Sequence, residues 1–270
     1  MSQANRVVLA QALKEVALEA AGLYSDEPLD YKGRPVTPRT VLGAGDNSHY
    51  VDVIVATLEN SHGRKILDVG IAYGIYDIVL QRRFGFEVHG IDHPENVPAY
   101  CRFPMQEGIP VIPCDLHHDV IPYRENTFDT IIASEIVEHL LLPPKAFFAN
   151  LHPVLKPGGK LIVTTPNFAS LRNILFLIKG DNPADTFPEK PLAFDKTARD
   201  RRVHPREYTV SEIVSSLLPA GFEVDSIQTK INQITTKLSL KWRLVKALMR
   251  ITPKHRDKII AVGTKTVIST

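Results

Sequence analysis

The spacing of apolar residues along the chain predicts helices and strands in alternation. Residues 5–21 place apolar side chains at helical intervals before Gly22, and a second helix, capped by Asp46 or Ser48, is predicted to end at Asn60. Strands are predicted within 65–69, at 87–91, 111–114 and 128–133, after the turn Pro157-Gly158-Gly159, at 221–226 and within 258–269. Further helices are predicted at 75–84, at 144–155, from Thr209 to Leu218 and at 237–250. This alternation indicates an α/β fold.

Two proline-rich segments interrupt the pattern. Residues 94–110 show little periodicity and are expected to form a short helix with a long loop. Residues 168–207 are interpreted as an insertion on the acceptor side, which begins with an apolar helical piece at 174–180. After this insertion, Thr209 and Glu212 have the spacing of a helix capping box.

The stretch KILDVGIAYG, residues 65–74, is the point from which the rest of the chain can be placed. It has the pattern of a buried strand that enters a glycine-bearing turn and then a helix. Asp68 lies near the carboxyl end of that strand, where open α/β sheets bind ligands. The alternative is a tight strand-to-helix turn that binds nothing.

The spacing Asp68-x-Gly70-x-Ala72-x-Gly74 resembles the first motif of class I S-adenosylmethionine-dependent methyltransferases, D/E-x-G-x-G-x-G, with Ala72 in place of the middle glycine. Further matches follow in the family's order through residues 64–167. The resemblance implies a Rossmann-like sheet of seven mostly parallel strands, the last antiparallel, with helices on both faces. In this family, leading helices often cover the cofactor.

The resemblance also implies a binding site for S-adenosylmethionine. Asp92, after the second strand, would hold the ribose hydroxyls, whereas Asp115 would accept from the adenine amino group and Leu116 would pack on the ring. The implied cofactor residues are Asp68, Gly70, Ala72, Gly74, Asp92, Asp115, Leu116 and Ser134. Tyr31, His49 and Tyr50 in the N-terminal part are candidate cofactor contacts, with packing or capping as the alternative.

The segment after the fourth strand carries the candidate catalytic residues. Glu135, Glu138 and His139 stand at i, i+3 and i+4, so on a helical turn they would share one face. Two carboxylates and an imidazole suit a divalent ion, Mg²⁺ first and Mn²⁺ as a substitute, with His204 as a further ligand. The alternative is a metal-free site in which His139 is the general base or anchors a loop. His117 and His118 lack partners at ligand spacing and are interpreted as surface residues.

This Glu-x-x-Glu-His pattern with a distant histidine is similar to that of metal-dependent 2'-O-methyltransferases of small-RNA ends, and it also resembles ubiquinone-type O-methyltransferases. The insertion and the segment from His204 to Thr209 resemble those of bacterial methyltransferases of surface glycans and polysaccharides. The resemblance therefore favours a hydroxyl of a sugar, oligosaccharide or polysaccharide precursor as the acceptor. RNA, a quinone or other small molecule, and a non-catalytic nucleotide-binding role are the alternatives.

Composition limits the remaining choices. A chain of 270 residues can bury one substantial core, so we expect a single domain with a helical cover at 1–60, a cofactor-binding core at 64–167, the insertion at 168–207 and a C-terminal part at 208–270. Only Cys101 and Cys114 are present, without metal or redox spacing. No apolar run approaches the roughly 20 residues of a membrane span and no signal sequence is evident, so a cytoplasmic location is expected.

Charge bears on the partners. A net charge of +2 and a single tryptophan, Trp242, make nucleic acid an unlikely partner. The basic residues of the predicted helix at 237–250 indicate a solvated face or, alternatively, a peripheral membrane contact with a lipid-linked acceptor. These residues are Lys237, Lys241, Arg243, Lys246 and Arg250. A homodimer is a further possibility.

Overall fold

Seven strands form one sheet in a computed structural model that describes residues 1–24, 37–42, 48–183, 204–231 and 240–266. The strand order is β3-β2-β1-β4-β5-β7-β6, in which β7 runs antiparallel to both of its neighbours and the other pairs are parallel. The strands are β1 Lys65–Val69, β2 Glu87–Asp92, β3 Val111–Pro113, β4 Phe128–Ser134, β5 Leu155–Pro166, β6 Phe222–Lys230 and β7 Lys258–Lys265. The predicted fold class is confirmed.

Ten α-helices lie in the described part of the chain. They are α1 Gln3–Leu23, α2 Pro38–Val41, α3 Ser48–Asn60, α4 Ile75–Phe84, α5 Asn96–Tyr100, α6 Arg102–Gln106, α7 Pro144–Leu151, α8 Leu171–Ile178, α9 Val210–Leu217 and α10 Leu240–Ile251. The capping box of Thr209 and Glu212 at the start of α9 is present as predicted. None of the described helices is long and apolar enough to cross a lipid bilayer.

Two predicted element boundaries were wrong. The helix expected at 144–155 ends at Leu151, because Leu155 already pairs with Phe128 as the first residue of β5. The strand that was expected after the Pro-Gly-Gly turn therefore includes that turn and runs for 12 residues. In addition, the segment at 94–110, which lacked clear periodicity, contains the two short helices α5 and α6 rather than one.

The sheet is covered by helices on both faces, as its buried central strands require. Ile66 of β1 faces a core layer that contains Leu13 of α1 and Ile54 of α3. The next residue, Leu67, points to the opposite layer, where it meets Phe148 of α7. Because helices cover both faces, the loops after the parallel strands meet at the carboxyl edge of the sheet, where open α/β folds bind ligands.

The expected division of the domain into a cover, a core, an insertion and a C-terminal part remains a prediction. Tyr31, Lys237 and most of the insertion, residues 184–203, lie outside the described residues. The side chains of Lys241 and Trp242 also lie outside the description.

Candidate functional site

The glycine turn at the end of β1 brings backbone to the carboxyl edge of the sheet. Gly70 has a φ of +81°, and a Cβ built there would lie 2.2 Å from the Ile136 side chain, so glycine is required. Ala72 also adopts a left-handed conformation, with a φ of +46°. Gly74 is the N-cap residue of α4. The turn is therefore built as the motif predicts, even though alanine occupies its middle position.

Asp92 connects this turn to the end of β2. Its Oδ2 accepts from the Ala72 backbone N–H at 2.8 Å, and its Oδ1 accepts from the His93 backbone at 2.7 Å and the Asn96 side chain at 2.8 Å. The carboxylate is thus fixed beside the turn, where the ribose of a nucleotide would lie in this fold. Its predicted role as the ribose ligand remains a prediction.

Asp115, after β3, lies among three histidines. Its Oδ2 pairs with His118 Nδ1 at 2.9 Å, its Oδ1 accepts from the His117 backbone N–H at 3.0 Å, and His93 Nε2 lies 3.7 Å from Oδ2. Burial alone would raise the pKa of Asp115, but these hydrogen bonds and the nearby histidines lower it to about 2. His117 and His118 therefore have a carboxylate partner, which the sequence interpretation missed. Leu116 is half-buried beside Asp115.

The Asp68 side chain is buried beneath the glycine turn and is not exposed at its surface. Its Oδ1 accepts from the Tyr76 hydroxyl at 2.6 Å. Burial raises the pKa of Asp68 to about 7, and burial together with the Asp68 charge raises the pKa of the buried Asp77. The predicted contact of Asp68 with the cofactor remains a prediction. In this structure the carboxyl group packs against helix α4, which contains Tyr76.

The helical turn predicted after β4 does not include its first candidate ligand, Glu135. Glu135 has a φ of +55°, and its backbone N–H donates to the Thr164 carbonyl at 2.9 Å, so it continues the edge of the sheet. Its Oε1 accepts from the Thr164 hydroxyl at 3.0 Å. A 3-10 turn, Val137–His139, begins only afterwards. Because the left-handed residue redirects the chain, Glu135 does not share a helical face with the next two candidate ligands.

Glu138, His139 and His204 come together in space. One ligand atom from each lies within 4.8 Å of the others, and the two imidazole rings meet edge to face with centroids 4.7 Å apart. Glu138 is buried, and its Oε2 accepts from the Thr165 hydroxyl at 3.0 Å. Its Oε1 has no hydrogen-bond partner among the residues that the structure describes. Burial and the nearby Glu135 charge raise the pKa of Glu138 well above its usual value.

Glu207 is a site residue that the sequence analysis missed. Its Oε1 pairs with His204 Nδ1 at 3.1 Å, and its Oε2 accepts from the Asn173 side chain at 3.3 Å. A neutral His204 that donates from Nδ1 to this carboxylate presents the lone pair of Nε2. The i, i+3 spacing of His204 and Glu207 was a signal that could have identified this pair.

A chain of hydrogen bonds joins helix α3 to the same edge of the sheet. Lys258 Nζ lies 2.7 Å from His49 Nδ1, His49 Nε2 lies 2.9 Å from the Ser134 hydroxyl, and that hydroxyl lies 3.0 Å from the Thr164 hydroxyl. The Thr164 hydroxyl has one proton, which it donates to Glu135. The Ser134 hydroxyl must therefore donate to the Thr164 oxygen, and His49 Nε2–H must donate to the Ser134 oxygen. His49 is therefore neutral with its proton on Nε2.

Electrostatics agree with that proton arrangement. Burial, with the Lys258 charge as the second cause, lowers the pKa of His49 well below its usual value. His49 and Ser134, both predicted to contact the cofactor, thus bond to each other. Tyr50 lies between His49 and Tyr76, with ring centroids 5.5 and 5.4 Å away. No motif or spacing in the sequence identified Lys258 or Thr164 as site residues.

The strand order, the glycine turn and the acids after β2 and β3 define the class I fold of S-adenosylmethionine-dependent methyltransferases. Comparisons with known proteins agree. The family described as "Methyltransferase domain" matches residues 67–163. A methyltransferase solved in complex with the Trm112 methyltransferase activator of Haloferax volcanii has a TM-score of 0.57 at 12% identity, covering 94% of this chain and 98% of that one. Residues 67–163 therefore form a methyltransferase domain, and the chain has the class I S-adenosylmethionine-dependent methyltransferase fold.

Two relatives extend the comparison. The mitochondrial ubiquinone biosynthesis O-methyltransferase of Homo sapiens is 34% identical over 67% of this chain and 46% of its own length. Phosphoethanolamine N-methyltransferase 3 of Arabidopsis thaliana is 31% identical over 73% of this chain and 42% of its own length. The chain therefore spans less than half the length of both. Because one relative is named for O-methylation and the other for N-methylation, similarity alone does not select the acceptor atom.

Proposed function

We propose that the protein transfers the methyl group of S-adenosylmethionine to a hydroxyl oxygen of a sugar or polysaccharide precursor, beside a divalent ion held by Glu138, His139 and His204. The observation that carries this proposal is the convergence of those three side chains within 4.8 Å, one residue of which has an unpaired buried oxygen. Such a buried oxygen is costly unless a ligand completes it.

The relative position of the strands supports the direction of transfer. The turn at Gly70 and the acids Asp92 and Asp115 follow β1, β2 and β3, whereas Glu138 follows β4, the neighbour of β1 on its other side. A cofactor bound over the first group would direct its sulfonium end toward the second. Alignment of the acceptor with the methyl carbon is then the main requirement of the reaction.

The donor set fits a divalent ion, but it differs from the predicted one. With Glu135 bonded to Thr164, the cluster offers one carboxylate and two imidazoles rather than an oxygen-rich set. Imidazole ligands favour transition metals, so Mn²⁺ fits this cluster better than Mg²⁺. A bound divalent ion lowers the pKa of a hydroxyl that it polarises. Glu207, through its bond to His204 Nδ1, orients that ligand in the manner typical of metal-bound histidines.

A second candidate acceptor is a quinone-type small molecule. The similarity to a ubiquinone biosynthesis O-methyltransferase favours it. In that reading, His139 takes the hydroxyl proton as the metal-free general base. Both candidates use the same cluster and differ in whether metal binding precedes transfer. The cytoplasmic location also remains a prediction.

The decisive experiment is a calorimetric titration of Mn²⁺ and Mg²⁺ into protein loaded with S-adenosylhomocysteine. We expect saturable Mn²⁺ binding that is lost in Glu138→Gln, which keeps the side-chain volume but removes the charge. Glu135→Gln is the matched variant, and it should retain most of the affinity because Glu135 lies outside the cluster. Sugars with adjacent hydroxyls and hydroquinones would then be screened as methyl acceptors.

Each outcome separates the alternatives. Absence of metal binding, with and without an acceptor, would leave the metal-free mechanism with His139 as the base. Equal loss of affinity in both glutamate variants would restore the four-ligand site that the sequence predicted. Failure to bind S-adenosylhomocysteine at all would contradict methyl transfer itself.

A further inference from the structure

Helix α8 is apolar but lies largely at the surface. Its sequence is LRNILFLI, yet the one side chain that it fully buries is Asn173. Leu177 and Ile178 are 53% and 75% exposed. An amphipathic helix of a globular protein normally turns its apolar side to the core. In α8 that side is partly exposed, since the remaining apolar residues are only half-buried: Leu171, Ile174, Leu175 and Phe176.

Helix α10 exposes a second apolar stripe. Val245 and Met249 are buried, whereas Leu244, Leu248 and Ile251, spaced i, i+4 and i+7, face outward with exposures of 60%, 49% and 75%. Arg243 and Arg250 are also exposed on this helix. The inward residues pack the helix on the domain, whereas the outward stripe stays exposed among the residues that the structure describes.

The two helices form one surface. They contact each other, and the Asn167 side chain, just before α8, donates to the carbonyls of Lys254 and Arg256, just after α10, at 3.0 and 2.8 Å. His255 Nδ1 also bonds the Ala169 carbonyl at 2.8 Å. We define the α8–α10 face as Leu177, Ile178, Leu244, Leu248, Ile251, Arg243 and Arg250.

The two helices themselves carry charge of one sign. The sequence contains no acidic residue between Asp225 and Asp257, an interval that includes all of α10, and none from Phe168 to Gly180, which includes all of α8. Exposed leucines and isoleucines flanked by arginines suit an interface between anionic headgroups and acyl chains. A protein partner of the same chemistry would have to be both acidic and apolar.

We propose that the α8–α10 face docks on an anionic lipid bilayer. The apolar stripe enters the boundary between headgroups and acyl chains, and Arg243 and Arg250 contact the headgroups. Because Asn173 of α8 holds Glu207, which in turn holds His204, docking would place the candidate acceptor site close to the membrane. That consequence rests on the proposed function and favours a lipid-linked acceptor, whereas docking itself does not depend on methyl transfer.

Cosedimentation of the full chain with lipid vesicles tests this proposal. We expect binding to vesicles of phosphatidylcholine mixed with phosphatidylglycerol, weak binding to pure phosphatidylcholine, and release when salt rises from about 0.1 M to about 1 M. Arg243→Gln with Arg250→Gln should lower the partition coefficient roughly 25-fold, because each cation near an anionic surface contributes about a fivefold gain. Leu244→Gln with Leu248→Gln should lower it at least as much.

Helix α1 offers matched controls, since Leu18 is 61% exposed there and Lys14 is exposed on the same helix. Leu18→Gln and Lys14→Gln should leave the partition coefficient unchanged. Affinity for S-adenosylhomocysteine, measured on every variant, reports folding and tests the proposed function separately from docking.

Three results would overturn docking. The first is wild-type protein that binds S-adenosylhomocysteine but not anionic vesicles. The second is a loss of binding in the α1 variants as large as that in the α10 variants. The third is a lipid-free dimer in sedimentation velocity that the Leu244/Leu248 variant converts to monomer, since a second copy would then be the occupant of the face.

Discussion

Two regions of the carboxyl edge bury carboxyl groups, but they differ in what surrounds them. Beneath the glycine turn, Asp68 and Asp77 are fully buried, and burial raises the pKa of both. After β4, Glu138 is also buried with a raised pKa. The first pair has a tyrosine hydroxyl as neighbour, whereas Glu138 has the imidazoles of His139 and His204. A shifted pKa therefore does not identify a reaction site unless ligand atoms also converge.

The difference follows from position along the strands. Asp68 lies inside β1, where neighbouring strands and α4 enclose its side chain. Glu138 lies in a turn beyond the end of β4, where a later segment of the chain can bring His204 to it. The first region packs beneath the glycine turn, whereas in the second region His139 and His204 are partly exposed.

The largest expected effect is on catalysis at the second region. Glu138→Gln should reduce the rate of methyl transfer more than about 100-fold, because a base or ligand carboxylate is lost where the proton leaves. Affinity for S-adenosylhomocysteine should stay near that of the wild type. Asp77→Asn should change the rate far less, and similar losses in both variants would show that the two regions act as one site.

The next effect concerns the orientation of His204. Glu207→Gln should weaken Mn²⁺ binding by roughly 10–100-fold in calorimetry, because a neutral amide oxygen accepts from His204 Nδ1 more weakly than the carboxylate does. The exposed Glu223 of β6 provides a control, and Glu223→Gln should leave the affinity unchanged. Unchanged binding in Glu207→Gln would mean that His204 needs no carboxylate to hold its position.

A pH-dependent effect on stability is expected for the first region. The raised pKa of Asp77 means that the folded state binds a proton more tightly than the unfolded state, so its contribution to stability falls as pH rises above about 4. His49, whose pKa is lowered, changes stability in the opposite direction near pH 6, so only a difference between variants isolates the acid.

Thermal unfolding from pH 4.5 to 7.5 measures that difference. Asp77→Asn should gain stability relative to the wild type as pH rises. Asp129, whose pKa is lowered chiefly by its bond to Lys156 despite partial burial, supplies the opposite case. Asp129→Asn should lose a constant amount over the same interval, and parallel profiles for all three proteins would contradict the raised pKa of Asp77.

The smallest effect concerns backbone strain, which both regions contain. Ala72 and Glu135 each hold a left-handed conformation. Ala72→Gly removes roughly 1–2 kcal/mol of strain and adds entropy to the unfolded chain, so the free energy of unfolding should rise by at most about 1 kcal/mol. Urea denaturation measures this change. A clear loss of stability would mean that the alanine methyl contributes packing.

Local sequence signals predicted most of the fold. Helix α4 begins and ends where predicted, because Gly74 and Gly85 flank it, and the capping box starts α9 as expected. Residues 94–110 gave no comparable signal, since α5 and α6 are five residues each and lie among prolines. Short helices show too few turns for a period to be recognised.

The candidate site also contains residues that the sequence predicted and residues that it did not. The sequence predicted a ligand set of Glu135, Glu138, His139 and His204, and the structure brings the last three of these together. The position of Glu135 was not predicted, because a left-handed residue breaks the helical spacing on which that prediction depended. Glu207 had a local signal at i, i+3 from His204, although its role depends on Asn173 of a different helix.

The sequence by itself determined the alternation of strands and helices, the glycine turn and the acids at the carboxyl ends of β1, β2 and β4, because these depend on residues close together in the chain. Only the tertiary structure decided that Lys258 bonds His49, 209 positions away, and that α8 and α10 contact each other. Contacts between distant segments depend on how whole layers pack, and no periodicity within either segment encodes them.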